Sequence, residues 1–207
     1  MKLVIGNKQL SSWSLRPWLL LRHLELPFEE IALTLDTPEF GPEIRQYSPA
    51  GRVPVLVDGD IRIWDSLSII EYVHEKSGGR AWPRDPARRA HARSISAEMH
   101  AGFAALRDNW PLQAASRGLK APLSAQGIAD VQRIEDLWLE CLKRYHAEGP
   151  WLFGDYSAAD AMYAPVVLRF QSYEAPVSPT SRTYMDHVLK DPHLNAWVLA
   201  ASAEIGR

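Results

Sequence analysis

Two apolar segments on either side of Asp58-Gly59 place the strongest constraint on the fold of this chain. Residues 53–57 (VPVLV) and 61–63 (IRI) are rich in β-branched side chains. An Asp-Gly pair between two such segments is the strongest short-range signal for a β-hairpin. Residues 65–75 begin with two good helix-capping residues and then show helical spacing of apolar residues. The sequence therefore predicts strand, turn, strand and helix.

The segments before this hairpin complete an α+β unit. Short strands are predicted at 2–5 and 28–33, and an apolar run at 18–24 predicts a helix between them. The element order is then β-α-β-(α)-β-β-α, which requires a mixed sheet. Residues 77–86 (SGGRAWPRDP) combine glycine, proline and charge, and we interpret them as a linker that ends a first domain at residue 76.

Residues 87–207 show helical periodicity only, which predicts an all-helical second domain. An apolar stripe from Ile95 to Trp110 predicts one long helix, and a second stripe at 131–145 predicts its packing partner in a helical bundle. Ser157 and Asp160 are spaced as a capping box for a helix that contains Pro165. Two shorter helices are predicted at about 180–189 and 193–203.

Charge and cysteine content narrow the possible partners and compartments. The 207 residues carry 23 basic and 25 acidic side chains, so the chain lacks the positive charge that nucleic acid or an anionic membrane would require. Cys141 is the single cysteine, which excludes an intramolecular disulfide and a cysteine-based metal site. With no signal-peptide pattern and no apolar run of membrane-spanning length, we expect a cytoplasmic protein without a metal.

Three serines cluster in the segment SSWSLRP, at Ser11, Ser12 and Ser14. Hydroxyl groups at a helix start lie near unpaired backbone N–H groups and the positive end of the helix dipole, so they can stabilise an anion such as a thiolate. The alternative is that they only cap the helix. Pro17 favours the first turn of a helix, which on that interpretation makes Ser14 the N-cap.

A second group of candidates is formed by Arg52, Val53 and Pro54 together with Asp65 and Ser66. If the Val53–Pro54 bond is cis, the backbone of Val53 can pair with an extended ligand as a neighbouring strand would. The carboxylate and the hydroxyl at the next helix start can then bind an amino group and a carboxylate. Alternatively, the bond is trans and the Asp-Ser pair is an ordinary cap.

Several motifs resemble the cytosolic glutathione transferases in order and spacing. SPAGRVPVL followed by WDSLSIIEYV is similar to the glutathione-binding half, and SSWSLR resembles the SSCSWR-type start of the zeta class. FGDYSAADAMYAPVV is similar to the capped helix of the second domain. SAEMHAGFAAL resembles the long helix that contributes a histidine in bacterial beta-class members. The resemblance implies a thioredoxin-like first domain that binds glutathione as a co-substrate.

The resemblance also implies roles for individual residues. Ser11 would donate a hydrogen bond to the glutathione sulfur, with Ser12 and Ser14 as alternatives. Residues expected to hold the tripeptide are Arg52, Val53, Pro54, Asp65 and Ser66. Residues expected to form the pocket for the electrophile are Trp13, Met99, His100, Phe103, Arg107 and Trp110, although several of these aromatic residues could belong to the core instead. Cys141 belongs to a buried stripe, so we expect no catalytic role for it.

The functional hypothesis is an enzyme that activates the glutathione thiolate for attack on a small apolar electrophile. One alternative is a non-catalytic module for glutathione binding or protein interaction. Another is a glutathione-dependent isomerase of the maleylacetoacetate isomerase type, although Trp13 stands where the zeta pattern has cysteine. A homodimer is expected from the resemblance. The sequence leaves open the identity of the electrophile, the choice among conjugation, isomerisation and peroxide reduction, and which serine faces the sulfur.

Overall fold

The computed structural model describes residues 1–205. The strands are β1 (Lys2–Ile5), β2 (Glu29–Ala32), β3 (Val55–Asp58) and β4 (Ile61–Trp64). The helices are α1 (Ser12–His23), α2 (Phe40–Arg45), α3 (Ser66–Lys76), α4 (Pro86–Ala101), α5 (Ala104–Asn109), α6 (Ala125–Tyr145), α7 (Ala158–Ser172), α8 (Pro179–Val188) and α9 (Pro192–Ser202). The predicted α+β unit followed by helices is confirmed. The domain boundaries at residues 77–86 stay a prediction.

The four strands form a mixed sheet in the order β2-β1-β3-β4. β1 is parallel to β2 and antiparallel to β3, and β3 pairs with β4 across the predicted hairpin. Side chains alternate between the two faces of β1. Leu3 and Ile5 join the core shared with α1, α3 and the helical half, whereas Val4 packs with Leu33 and Ile44 on the other face. Both faces are therefore covered, as in a thioredoxin-like sheet.

The start of α1 differs from the capping prediction. Its N-cap is Ser11, whose Oγ accepts a hydrogen bond of 3.3 Å from the N–H of Ser14, and Pro17 lies inside the helix. The prediction of Ser14 as N-cap is therefore wrong. The proline removes one backbone hydrogen bond, but the helix buries an almost continuous run from Leu15 to Leu21, and this burial outweighs the loss.

The predicted long helix through Trp110 is also wrong, because it is divided into α4 and α5. Gly102 is extended, and a Cβ atom at this position would lie 2.8 Å from the carbonyl oxygen of Glu98. Phe103 follows in the left-handed conformation, with φ of 60°, so the helix ends and restarts in a new direction. Phe103 and Trp110 are nevertheless buried, which explains why the apolar spacing continued across the break.

α7 is the central helix of the second half, and it packs against both α1 and α4. Its predicted capping box is present, with the Asp160 carboxylate accepting the N–H of Ser157 at 2.9 Å. Trp138, Trp197 and Cys141 are fully buried, as expected for core residues. Among residues 1–205, no helix has the length and apolar character needed to cross a membrane.

Candidate active site

Most of the predicted ligand-binding residues converge on one cleft between the sheet and α4. The cleft has a volume of about 550 Å³. It is lined by Trp13, Ala50, Arg52, Val53, Pro54, Trp64, Asp65, Ser66 and His100. Seven of these residues were predicted from the sequence, and Ala50 and Trp64 were not. The cleft therefore brings together the start of α1, the loop before β3, the start of α3 and one histidine from α4.

A larger cavity of about 1040 Å³ lies between α6 and α8. Its lining includes Leu139, Lys143, Tyr184 and His187 and contains none of the predicted ligand-binding residues. We assign the candidate site to the smaller cleft because helix N-termini, free backbone groups and hydroxyl groups meet there, and these are the groups that bind a charged peptide-like ligand.

The loop before β3 presents backbone groups to the cleft. The Val53–Pro54 peptide bond is cis, the alternative that allows the backbone of Val53 to pair with a ligand. Val53 lies before the first residue of β3. Among the described residues, neither its N–H nor its C=O forms a backbone hydrogen bond in a turn or loop. Arg52 is exposed beside them. An extended peptide can therefore pair with Val53 and place a carboxylate near the guanidinium group.

Asp65 caps α3 and also contacts a residue from the helical half. One carboxylate oxygen, Oδ1, accepts the N–H groups of Leu67 at 2.8 Å and Ser68 at 3.3 Å. The other, Oδ2, lies 3.1 Å from Nε2 of His100. Nδ1 of His100 is buried and has no partner within residues 1–205. The structure thus places His100 in the cleft, and a ligand amino group would have to share or replace its contact with Asp65.

The three candidate serines have different surroundings. Ser14 is completely buried, and its Oγ accepts the N–H of Gly6 at 3.2 Å, so it has no access to a ligand. The hydroxyls of Ser11 and Ser14 share a hydrogen bond of 2.7 Å. Ser12 Oγ accepts a hydrogen bond of 3.3 Å from Nη2 of Arg169. Ser14 is therefore the least accessible of the three candidates. Ser11 and Ser12, which are 5% and 6% exposed, lie directly before Trp13 of the cleft wall. Which serine faces the sulfur stays a prediction.

Two arginines flank the indole ring of Trp13, and a third, Arg169, contacts Ser12 beside it. The guanidinium group of Arg16 stacks on the indole ring at 4.2 Å from its centroid, and that of Arg107 lies at 5.5 Å. Burial lowers the pKa of Arg16 to about 9, with a further contribution from the charges of Arg169 and Arg107. Burial also lowers the pKa of Arg169 to about 10, again helped by Arg107. These side chains remain charged at neutral pH, so two positive charges lie at the start of α1, beside the cleft.

Not all residues predicted for the second pocket lie there. Met99, Phe103 and Trp110 are buried in the helical core and do not line the cleft, so their place in a pocket for the electrophile stays a prediction. Trp110 stacks on Tyr173 at 5.2 Å, and its Nε1 donates to a backbone carbonyl. Their helical periodicity reflected packing between helices. Arg107 is half-buried behind Trp13 and donates to the Met99 carbonyl at 3.3 Å.

Sequence reasoning missed Trp64, Arg16 and Arg169. Trp64 ends β4 directly before the predicted cap, and nothing in its spacing distinguishes it from a core residue. The sequence did contain a signal for Arg169, because this residue interrupts the apolar run of α7. In the structure its side chain is only 4% exposed. A buried arginine without a nearby acid in the sequence indicates either an ion-binding region or backbone anchoring.

Comparison with protein-family models identifies residues 10–76 as a glutathione S-transferase N-terminal domain. Among curated proteins, the chain is 30% identical over 175 residues to a Caenorhabditis elegans protein named "Probable maleylacetoacetate isomerase". The aligned region covers 81% of this chain and 78% of the relative. It is 28% identical over 171 residues to the maleylacetoacetate isomerase of Rattus norvegicus, covering 81% and 77% of the two chains.

Solved structures match the fold over its whole length. A glutathione transferase homolog from Burkholderia with bound glutathione matches with a TM-score of 0.75 and 21% identity, covering 98% of both chains. A bacterial zeta-class maleyl pyruvate isomerase matches with a TM-score of 0.72 and 21% identity, covering 99% of both chains. The shared fold agrees with the family match and with the extended similarity to curated relatives. The chain belongs to the glutathione S-transferase family.

Proposed function

We propose that this chain is a glutathione-dependent enzyme that binds the tripeptide in the cleft and ionises its thiol for attack on a small apolar electrophile. The observation that supports this best is the convergence of three features on the cleft: the unpaired backbone of Val53, the capped start of α3 and the serine-bearing start of α1. Together they match a ligand with an extended backbone, a charged end and a thiol. Family membership supports the same activity.

In this proposal the backbone of Val53 pairs with the cysteinyl residue of glutathione. Ser66, the first residue of α3, binds the carboxylate of the γ-glutamyl end, and Asp65 binds its amino group. Arg52 contributes a charge contact from the rim of the cleft. Oδ2 of Asp65 is occupied by His100, so binding includes a rearrangement of that contact.

The thiol loses its proton to solvent, and the thiolate is stabilised by a hydroxyl at the start of α1 and by the nearby positive charge. Ser11 is the candidate that the resemblance implies. Ser12 is the second candidate, because its oxygen accepts only from Arg169 and its proton is free to be donated. In conjugation, a carbon–sulfur bond then forms and the leaving group departs with its electron pair.

A second candidate activity is isomerisation of a conjugated cis double bond, supported by the similarity to proteins named maleylacetoacetate isomerase. The thiolate would add to one alkene carbon, the resulting single bond would rotate, and elimination would restore the thiolate and give the trans alkene. Glutathione would not be consumed. Trp13 and Trp64, which line the cleft, provide apolar surface for either kind of substrate.

Affinity chromatography on immobilised glutathione and a chromogenic conjugation assay test this proposal. A hydrogen bond to a charged partner contributes roughly 1.5–3 kcal/mol, so loss of the thiolate donor should lower kcat/KM about tenfold to a hundredfold. Ser11→Ala and Ser12→Ala identify that donor, with Ser14→Ala as the control for loss of a buried hydroxyl group at the start of α1. Retention without conjugation or isomerisation would support a non-catalytic module, and a lack of retention would refute glutathione binding.

We also propose a homodimer formed through the sheet edge. β4 is an edge strand, and Ile61 on it is 51% exposed. Exposed apolar side chains on an edge strand favour burial against a second copy. Light scattering at micromolar concentration should give twice the mass of one chain, and Ile61→Lys should shift the protein towards the monomer. A monomeric wild-type protein would contradict this.

A further inference from the structure

Two buried arginines each donate a hydrogen bond to a serine at a helix start beside the cleft. Nη2 of Arg169 lies 3.3 Å from Oγ of Ser12, the first residue of α1. Nη1 of Arg16 lies 3.5 Å from Oγ of Ser66, the first residue of α3. Both arginines are less than 5% exposed, so neither can reach a ligand directly. Each can act on a ligand only through its serine and through its electric field.

These guanidinium groups lack the partners that buried charges usually have. Among residues 1–205, Arg16, Arg107 and Arg169 form no ion pair, and Nε of Arg16 has no hydrogen-bond partner. Asp65 is the acidic group whose charge favours Arg16, and its carboxylate is engaged by the α3 backbone and by His100. Placing two buried cations and one half-buried cation close together is unfavourable unless an anion compensates them. The cleft is where such an anion can bind.

Arg169 reaches Ser12 from the helical half of the chain. Its Nε also donates to the carbonyl oxygen of Trp110 at 2.9 Å, which fixes the orientation of the guanidinium group. Because Ser12 Oγ accepts from a cation, its own proton is directed away from Arg169, and the hydroxyl becomes a stronger donor. A thiolate next to Ser12 would therefore receive a charge-assisted hydrogen bond.

We propose that Arg169 is a positioning residue that orients the Ser12 hydroxyl as a donor to the glutathione sulfur and, together with Arg16, supplies positive charge that favours the thiolate. This inference depends on the proposed function. It concerns only the ionisation step, in which the thiol proton passes to solvent. It assigns to a residue of the helical half a role in thiol activation that is separate from binding the electrophile.

The alternative is that Arg169 only anchors the carbonyl group of Trp110. That purely structural role predicts lower stability after substitution but no change in the ionisation of bound glutathione. The two explanations therefore differ in one measurable quantity, the pKa of the thiol in the complex. It can be measured from the ultraviolet absorbance of the thiolate and from the pH dependence of kcat/KM.

The experiment compares wild-type enzyme with Arg169→Gln, Arg169→Lys and Ser12→Ala, after calorimetry has shown that each binds glutathione. Loss of a neighbouring charge shifts a pKa by about one unit or more, so Arg169→Gln should raise the pKa of the bound thiol by about one pH unit and lower kcat/KM at neutral pH about tenfold. Arg169→Lys, which keeps the charge, should give less than half of that shift. Arg182→Gln is the matched control, because Arg182 is partly buried and also donates to a carbonyl, that of Ala175.

An unchanged thiol pKa in Arg169→Gln, or an equal shift in Arg182→Gln, would overturn the inference while leaving the proposed function intact. If Arg169→Gln does not fold, Ser12→Ala decides, because it removes the acceptor and leaves the bond to Trp110. An unchanged thiol pKa in Ser12→Ala, with a raised pKa in Ser11→Ala, would also overturn the inference. Absence of glutathione binding by the wild-type protein would refute the proposed function itself.

Discussion

Replacement of Asp160 by asparagine should change how stability depends on pH. The carboxylate is buried and accepts four hydrogen bonds. Its Oδ1 accepts from the N–H of Leu152 and the O–H of Tyr184, both at 3.1 Å. Its Oδ2 accepts from the N–H and the hydroxyl of Ser157, at 2.9 and 3.2 Å. This network fixes the start of α7, the helix that carries Arg169.

Despite these hydrogen bonds, burial raises the pKa of Asp160 from 3.8 to about 6. The folded protein therefore binds a proton more tightly here than the unfolded chain does, and stability falls as pH rises from about 4 through 6. This pKa shift corresponds to a loss of about 3 kcal/mol in the free energy of unfolding as pH rises. Roughly half of that loss falls between pH 5 and pH 8. Above pH 7 the cost of the buried charge is constant.

Asparagine has almost the same shape and does not titrate. We compare the free energies of unfolding of Asp160→Asn and wild type by urea unfolding at pH 5 and pH 8. Relative to wild type, the variant should be more stable at pH 8 than at pH 5 by about 1.5 kcal/mol. Asp155→Asn is the matched control, because Asp155 is exposed a few residues away. Parallel pH profiles for Asp160→Asn and wild type would refute this reasoning.

Three further predictions concern other groups. Burial raises the pKa of the Cys141 thiol to about 12. The thiol should therefore not react with a disulfide reagent at pH 8 in the folded protein, and one thiol should react after denaturation. Rapid labelling of the native protein would contradict the burial of Cys141. Burial raises the pKa of Asp191, but the contact with His23 and other hydrogen bonds lower it below its ordinary value. This carboxylate therefore stabilises the fold above about pH 4. The contribution is lost as pH falls through the lowered pKa. Asp191→Ala should cost about 1–2 kcal/mol at neutral pH, measured by urea unfolding, because it also removes a helix N-cap; an equal loss well below pH 3 would contradict the ionic contribution. His100→Ala should lower the KM for glutathione by up to about fivefold, because a partly exposed contact of this kind contributes roughly 0.2–1 kcal/mol and its loss frees Oδ2 of Asp65; a higher KM would indicate that the histidine helps to bind glutathione.

The sequence predicts the sheet half well because its signals are local. The Asp58-Gly59 pair and its β-branched flanks predict the hairpin, in which Asp58 ends β3 and Gly59 and Asp60 form the turn, and the Asp65 cap determines where α3 begins. These preferences agree with the tertiary structure. Where local preference and tertiary packing disagree, the burial of apolar residues determines the structure. For example, α1 begins at the Ser11 cap and continues through Pro17 because its apolar residues pack into the core.

The helical half shows the limit of periodicity. Apolar spacing from Ile95 to Trp110 identified the buried residues, but it did not reveal the close backbone approach at Gly102 that divides the helix. For the same reason, spacing could not separate residues that line the cleft, such as His100, from core residues such as Met99. Contacts between the two halves, including that of Arg169 with Ser12, depend on packing that a single sequence does not encode locally.

A crystal structure of the protein with glutathione tests the central claim most directly. Our account predicts that the cysteinyl backbone pairs with Val53, the γ-glutamyl end lies at Ser66, and the sulfur lies within about 3.5 Å of the Oγ atom of Ser11 or Ser12. Density for glutathione outside this cleft, or a sulfur atom beyond hydrogen-bond distance from both hydroxyls, would contradict it.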